Sequence, residues 1–126
     1  MAYRAAVRAS YDVALFIPGD EGPAGRTHGH RYTVEGVLES EAVDESGFVA
    51  DFVRVQPLLN AVADEFDHRL LNELEPFRGR VPSAELQAEY FFRRLSAEVE
   101  RECGPAVRVV KIRVTQEPDA WAEYER

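Results

Sequence analysis

The 126 residues suffice for one domain with a real core. Apolar residues make up 45% of the chain, no apolar run approaches the ~20 residues that span a bilayer, and the formal charge is −8. These totals argue against a disordered chain, a helical membrane span, and general affinity for nucleic acid or anionic membrane. The single cysteine, Cys103, leaves no internal disulfide, and MAYRAAVRAS lacks the unbroken apolar segment of a secretory leader, so a cytoplasmic protein is expected.

Residues 3 to 15 alternate, with Tyr3, Ala5, Val7, Ala9, Tyr11, Val13 and Leu15 on one face and Arg4, Arg8, Ser10 and Asp12 on the other, which predicts a half-buried strand. IPGDEGPAGRT, 17 to 27, reads as a loop on its glycines and prolines. Residues 30 to 39 alternate again, Tyr32, Val34 and Leu38 against Arg31, Thr33, Glu35 and Glu39, and DESG, 44 to 47, signals a turn. The period then changes. Phe52, Val55, Leu59, Val62 and Phe66 mark an amphipathic helix with Asp51 as N-cap, in which Pro57 is tolerable only near the first turn. FDHRLLNEL reads as a compact connection. Ser83 caps a second helix running to about Cys103, where Gly104-Pro105 stops it. Residues 106 to 115 form a third strand, and QEPDAWAEY a loop and short fourth strand. The expected fold is α+β, ordered ββααββ: one domain over 1–126, with a four-stranded antiparallel sheet and both helices on one face. Its edge strands are expected to pair between subunits.

The chemistry starts at THGHRYTVEGVLE. His28 and His30 share a strand face with Tyr32 and Val34, and two inward imidazoles are part of a zinc site or a hydrogen-bonded pair beside a loop. Asp67-His68 joins a carboxylate to an imidazole between the helices, the makings of a general acid or base, or of a helix C-terminus with a solvated aspartate. Glu117, Asp119 and Glu123 read as surface charge, Cys103 as packing, and Phe91, Phe92 and Trp121 as core or subunit contact.

THGHRYTVEG, GFVADF, FDHRLLN, VPSAEL and QEPDAWAEY, in this order over nearly the whole chain, resemble the 6-pyruvoyl-tetrahydropterin and 6-carboxytetrahydropterin synthase family. The resemblance implies a tunnelling fold, trimers around a shared barrel stacked in pairs as a hexamer, and active sites between subunits. It implies zinc held by three histidines, of which His28 and His30 are two. The third falls in a pattern like Phe-x-Ala-x-His, where this chain reads Tyr11-Asp12-Val13-Ala14-Leu15. The chain's remaining histidine is His68, so only Asp12, Asp20 or Glu21 is left to supply a ligand; Asp12 alternates onto the wrong face, and the other two need the loop to fold back. Weak zinc binding or none is expected. The family's catalytic cysteine falls at Ala24, its Asp-His relay is kept as Asp67 and His68, and its glutamate anchor for the pterin ring falls at Gln116, with Glu117 one residue away. Its Pro-Thr segment appears as Pro82-Ser83.

Ligand, base and ring anchor have thus changed while the scaffold is kept. The reading that follows is a repurposed enzyme doing acid–base chemistry on a non-pterin small molecule: an aldol-type, dehydration, isomerisation or cyclisation step in specialised biosynthesis. His68 and Asp67 would be catalytic, and His28, His30, Tyr11, Ser83, Gln116 and Glu117 would bind the substrate. The alternatives are a lyase acting on dihydroneopterin triphosphate and a non-catalytic binding or scaffold hexamer.

Overall fold

A computed structural model describes all 126 residues. Strand β1 (Tyr3–Leu15) pairs antiparallel with β2 (His28–Ser40). Helix α1 (Phe52–Asp64) follows, then a two-residue strand β3 (Arg69–Leu70), helix α2 (Ala84–Cys103), and strands β4 (Arg108–Glu117) and β5 (Ala120–Glu125). The sheet order is β3-β1-β2-β4-β5. There are therefore five strands where alternation predicts four. The added strand lies in FDHRLLN, which reads as a connection because two residues are too few to show a period; it runs parallel to β1, Val13 opposite Arg69 and Ala14 opposite Leu70.

Local chemistry sets the element ends. Asp51 accepts a hydrogen bond from Val53 N at 2.9 Å and Ser83 from Leu86 N at 3.2 Å, so both helices begin where the caps predict. Gly104 ends α2 at φ +78, and Gly47 closes the DESG turn at φ +86. Pro57 lies in the second turn of α1, deeper than expected. Val53, whose carbonyl loses its partner to the proline, is 82% exposed, so water can serve that carbonyl.

Both helices cover one face of the sheet. Val55, Leu59 and Val62 of α1 and Phe91, Phe92, Leu95 and Val99 of α2 pack on Val7, Tyr11, Val13, Tyr32, Val34, Leu38, Ile112 and Val114 in a single core. Gly36 lets α2 approach closely, since a Cβ there would lie 2.8 Å from Leu95 Cδ2. The other face bears cross-strand ion pairs, Arg4 and Arg108 with Glu39, Arg8 with Glu35, Arg31 with Asp12. Trp121 is half exposed, with the Arg113 guanidinium 4.8 Å over its ring. No helix is long and apolar enough to cross a membrane.

Candidate active site

The alternation of β2 brings His28, His30 and Tyr32 onto the helix-covered face at the end of the sheet. Ring centroids are 4.9 Å apart for His28–His30 and 5.6 Å for His30–Tyr32. His28 Nδ1 lies 2.7 Å from the Arg26 carbonyl oxygen, which fixes the ring and leaves Nε2 free. Burial lowers the pKa of His30, His28 lowers it further, and Glu117 works against both.

Across the ladder Leu15 is paired with His28 and Val13 with His30. Leu15 is 2% exposed and offers an alkyl chain where a third imidazole would have to stand. Asp12 points to the opposite face, where it forms a two-pronged ion pair with Arg31 at 2.9 and 3.0 Å. The 16–27 loop does fold back, through an Ile17 N to Ala24 O bond of 2.8 Å, and packs so tightly that a Cβ on Gly25 would overlap the Asp20 carbonyl. The Asp20 carboxylate accepts from Gly22 N at 2.7 Å. No group of three histidine, cysteine or acidic side chains converges anywhere in the chain to hold a metal. Two imidazoles facing a leucine do not make a resident zinc site.

Asp67 and His68 are brought together. His68 Nδ1 lies 2.9 Å from Asp67 Oδ2, and Asp67 Oδ1 accepts from Asp12 N at 2.8 Å. In return His68 N donates to Asp12 O at 2.6 Å. Both carboxylate oxygens are engaged. The bond from Asp12 N, with that from His68, holds the Asp67 carboxyl below the usual range. The imidazole donates from Nδ1, so Nε2 is the free basic nitrogen, on a side chain 78% exposed. His68 is the one non-glycine residue at positive φ, +60. The dyad sits at the β1 edge beside Asp12 and Arg69, whereas His28 and His30 lie on the inner face of β2. Within one chain the two halves of the site are apart.

The remaining candidates divide. Tyr11 is 1% exposed and donates its phenol to Gln87 Oε1 at 2.6 Å, so it is sealed in the core rather than open to a ligand. Ser83 Oγ is occupied as the α2 cap. Gln116 is the extra residue of a bulge, since Thr115 pairs with Trp121 and Glu117 with Ala120. Its Oε1 accepts from the Tyr32 phenol at 3.4 Å. Two residues escaped the sequence reading. Gln87 is fully buried on the apolar stripe of α2, and a polar side chain among Ala88, Phe91 and Leu95 was its signal. Asn72 brackets Phe16, accepting from its N at 3.0 Å and donating to its O at 2.9 Å; nothing in its local sequence marks that long-range role.

With this geometry in place, the chain was compared with known proteins. The family model described as 6-pyruvoyl tetrahydropterin synthase matches residues 4–126. The chain belongs to the 6-pyruvoyl tetrahydropterin synthase family. It is 31% identical over 117 residues to a Bacillus subtilis 6-carboxy-5,6,7,8-tetrahydropterin synthase, covering 88% of this chain and 77% of that one. It is 35% identical over 74 residues to a Pyrococcus furiosus dihydroneopterin monophosphate aldolase, 59% of this chain and 61% of that one. The solved 6-pyruvoyl tetrahydropterin synthase of Caenorhabditis elegans matches the fold with a TM-score of 0.84 at 21% identity, over 100% of this chain and 96% of that one. The tunnelling fold expected from the sequence is thereby shown, with β3 as its added strand.

Proposed function

We propose that this chain is a cytoplasmic acid–base lyase that breaks a carbon–carbon bond in the hydroxylated side chain of a pterin-type ring. The observation that carries the reading is the Asp67–His68 dyad: a carboxylate held from both oxygens, an imidazole bonded to it at 2.9 Å, and a free Nε2 facing outward. The relatives named tetrahydropterin synthase and dihydroneopterin monophosphate aldolase supply the substrate class. They lend nothing to the non-pterin substrate that the lost residues suggested, or to a scaffold without chemistry.

In the proposed step, His68 Nε2 takes the proton of the side-chain hydroxyl next to the bond that breaks. That oxygen becomes an aldehyde, and the bonding electrons pass into the ring's conjugated C=N bond. The carbon left on the ring then takes a proton back from His68. His28 and His30 hydrogen-bond the side-chain oxygens. No step passes through zinc, because the donor set lacks a third ligand.

Assembly follows from the split site. β3 covers β1 only at Val13 and Ala14, so residues 3 to 11 present an open edge, and β5 presents another. Pairing these edges between copies builds a closed ring, in which the dyad of one subunit can meet the imidazoles of its neighbour; two stacked trimers are the proposed form.

The test is aldehyde release from dihydroneopterin and from its mono- and triphosphate. Turnover of one of the three is expected, with a loss of about 100-fold or more in His68→Ala. Absence of turnover on all three, or turnover indifferent to His68→Ala, overturns the reading.

A further inference from the structure

On the sheet face away from the helices, charge crosses from β1 to β2 in one sense and then in the other. Arg4 and Arg8 of β1 pair with Glu39 and Glu35 of β2. At the next charged rung the signs are reversed. Asp12 stands on β1 with Arg31 directly opposite on β2, joined by bonds of 2.9 and 3.0 Å. The reversal falls where the dyad is fastened to β1. Asp12 N donates to Asp67 Oδ1 at 2.8 Å and Asp12 O accepts from His68 N at 2.6 Å, so the backbone of one residue holds both members. The Asp12 side chain stands beside them, and Asp12 and His68 border one open cavity of about 350 Å³. The four charges also act crosswise. The bond from Arg31, and behind it the charge of His68, hold the Asp12 carboxyl below its usual range. The bond to Asp12, and behind it the charge of Asp67, raise the Arg31 guanidinium. With side chains 71% and 41% exposed, such a pair contributes little to stability, so its reversed sense calls for another account.

The chemistry of each group supplies one. A carboxylate left free at Asp12 would be a second acceptor for the Nδ1–H of His68. A guanidinium left free at Arg31 would bond the Asp67 carboxylate, which its fork of donors matches. An arginine at position 12, in the sense of the other rungs, would set that fork beside Asp67 outright. As the pair stands, each charge occupies the other. We infer that Arg31 and Asp12 are positioning residues for the dyad: Arg31 keeps the Asp12 carboxylate off the imidazole, and Asp12 keeps the guanidinium off Asp67. His68 then has one partner at Nδ1, and Nε2 stays the free nitrogen, as an imidazole oriented by a single carboxylate requires. The consequence for turnover rests on the acid–base reading of the dyad. The consequence for the imidazole tautomer does not.

The test compares the full-length wild type with Arg31→Met, with Arg31→Met/Asp12→Ala, and with the exchanged pair Asp12→Arg/Arg31→Asp, each first confirmed as folded. All three variants keep the backbone N–H and carbonyl of residue 12. Nitrogen-15 spectra of histidine-labelled protein in alkaline buffer read the tautomer; the chain has three histidines, and the His68 signals are those lost in His68→Gln. Turnover is read as kcat and KM on whichever of the three dihydroneopterin substrates the wild type accepts. The wild type should carry the His68 hydrogen on Nδ1. Arg31→Met and the exchanged pair should show mixed tautomers and a kcat about tenfold lower with KM within about twofold, as when about a tenth of the chains hold the productive arrangement. Arg31→Met/Asp12→Ala, with the competing carboxylate gone, should return to one tautomer and recover most of the lost kcat. An ion pair that only braces the sheet gives the opposite order, with the exchanged pair intact and the doubly neutral variant worst. That order, or a His68 tautomer indifferent to Arg31→Met, overturns the inference. Absence of turnover in the wild type overturns the proposed lyase alone, and the spectra then decide the inference by themselves.

Discussion

Leu15 and His28 are direct partners in the antiparallel β1–β2 ladder, with their side chains on the same face. The corner that would close a three-histidine set is therefore occupied by a buried alkyl chain in the right place and orientation. Leu15→His should create the site in one substitution. Elemental analysis of tag-free protein should give about one zinc per chain for the variant and far less for the wild type. The metal-free variant should lose about 2 kcal/mol of stability, the worth of a buried leucine, and added zinc should restore it. Equal zinc content in the two proteins would show that the ladder does not present these residues as a set.

The dyad holds a second testable tension. His68 adopts φ +60, a conformation that L side chains enter at a cost of about 1–2 kcal/mol. Its backbone N–H is tied to Asp12 O at 2.6 Å, so the strain is built into the β1 edge. Replacing the residue by glycine relieves the strain and removes the imidazole. His68→Gly should fold as well as or better than the wild type, by up to about 1 kcal/mol in denaturant melts, while activity falls by about 100-fold or more. His68→Ala lacks the relief and should show only the second effect. A His68→Gly protein less stable than His68→Ala would remove strain from the account.

Much of the fold was legible because it rests on periodicity: Tyr11 to Leu15 and Tyr32 to Leu38 announce strand faces, Val55 to Phe66 a helix, and Asp51, Ser83 and Gly104 its boundaries and those of α2. β3 was not legible, since two residues show no period. The histidine pair was legible from its spacing, and the Asp67–His68 contact from the family resemblance, because adjacency in sequence does not make side chains touch. What the sequence could not give is direction. Tyr11 reads as one more aromatic on a strand face, and only the packing of α2 reveals that its hydroxyl is committed to a glutamine 76 residues later.

That pairing of Tyr11 with Gln87 predicts non-additive mutations. Tyr11→Phe removes a donor and leaves Gln87 Oε1 buried and unpaired; Gln87→Leu strands the Tyr11 hydroxyl and the Pro82 carbonyl. Each single variant should lose about 1–3 kcal/mol in chemical unfolding, the cost of an unsatisfied buried group. The double variant Tyr11→Phe/Gln87→Leu should lose about 1 kcal/mol or more less than the sum of the two. Strict additivity would mean that the two groups do not act as a unit.

The last prediction concerns protons at the imidazole pair. His30 has its pKa lowered by burial first and by His28 second, so the folded chain resists a proton that the unfolded chain accepts at the ordinary histidine value of about 6.5. Above that value both states are neutral at this residue and pH has no leverage. As pH falls through it, the unfolded chain gains a proton first, and the fold loses stability until the folded His30 also titrates. Unfolding midpoints measured from pH 8 down to pH 5 should fall for the wild type and fall less for His30→Gln. Glu117 opposes the shift, so Glu117→Gln should lower the His30 value further and steepen the loss. If Glu117→Gln left the profile unchanged, the carboxylate would not be acting on His30.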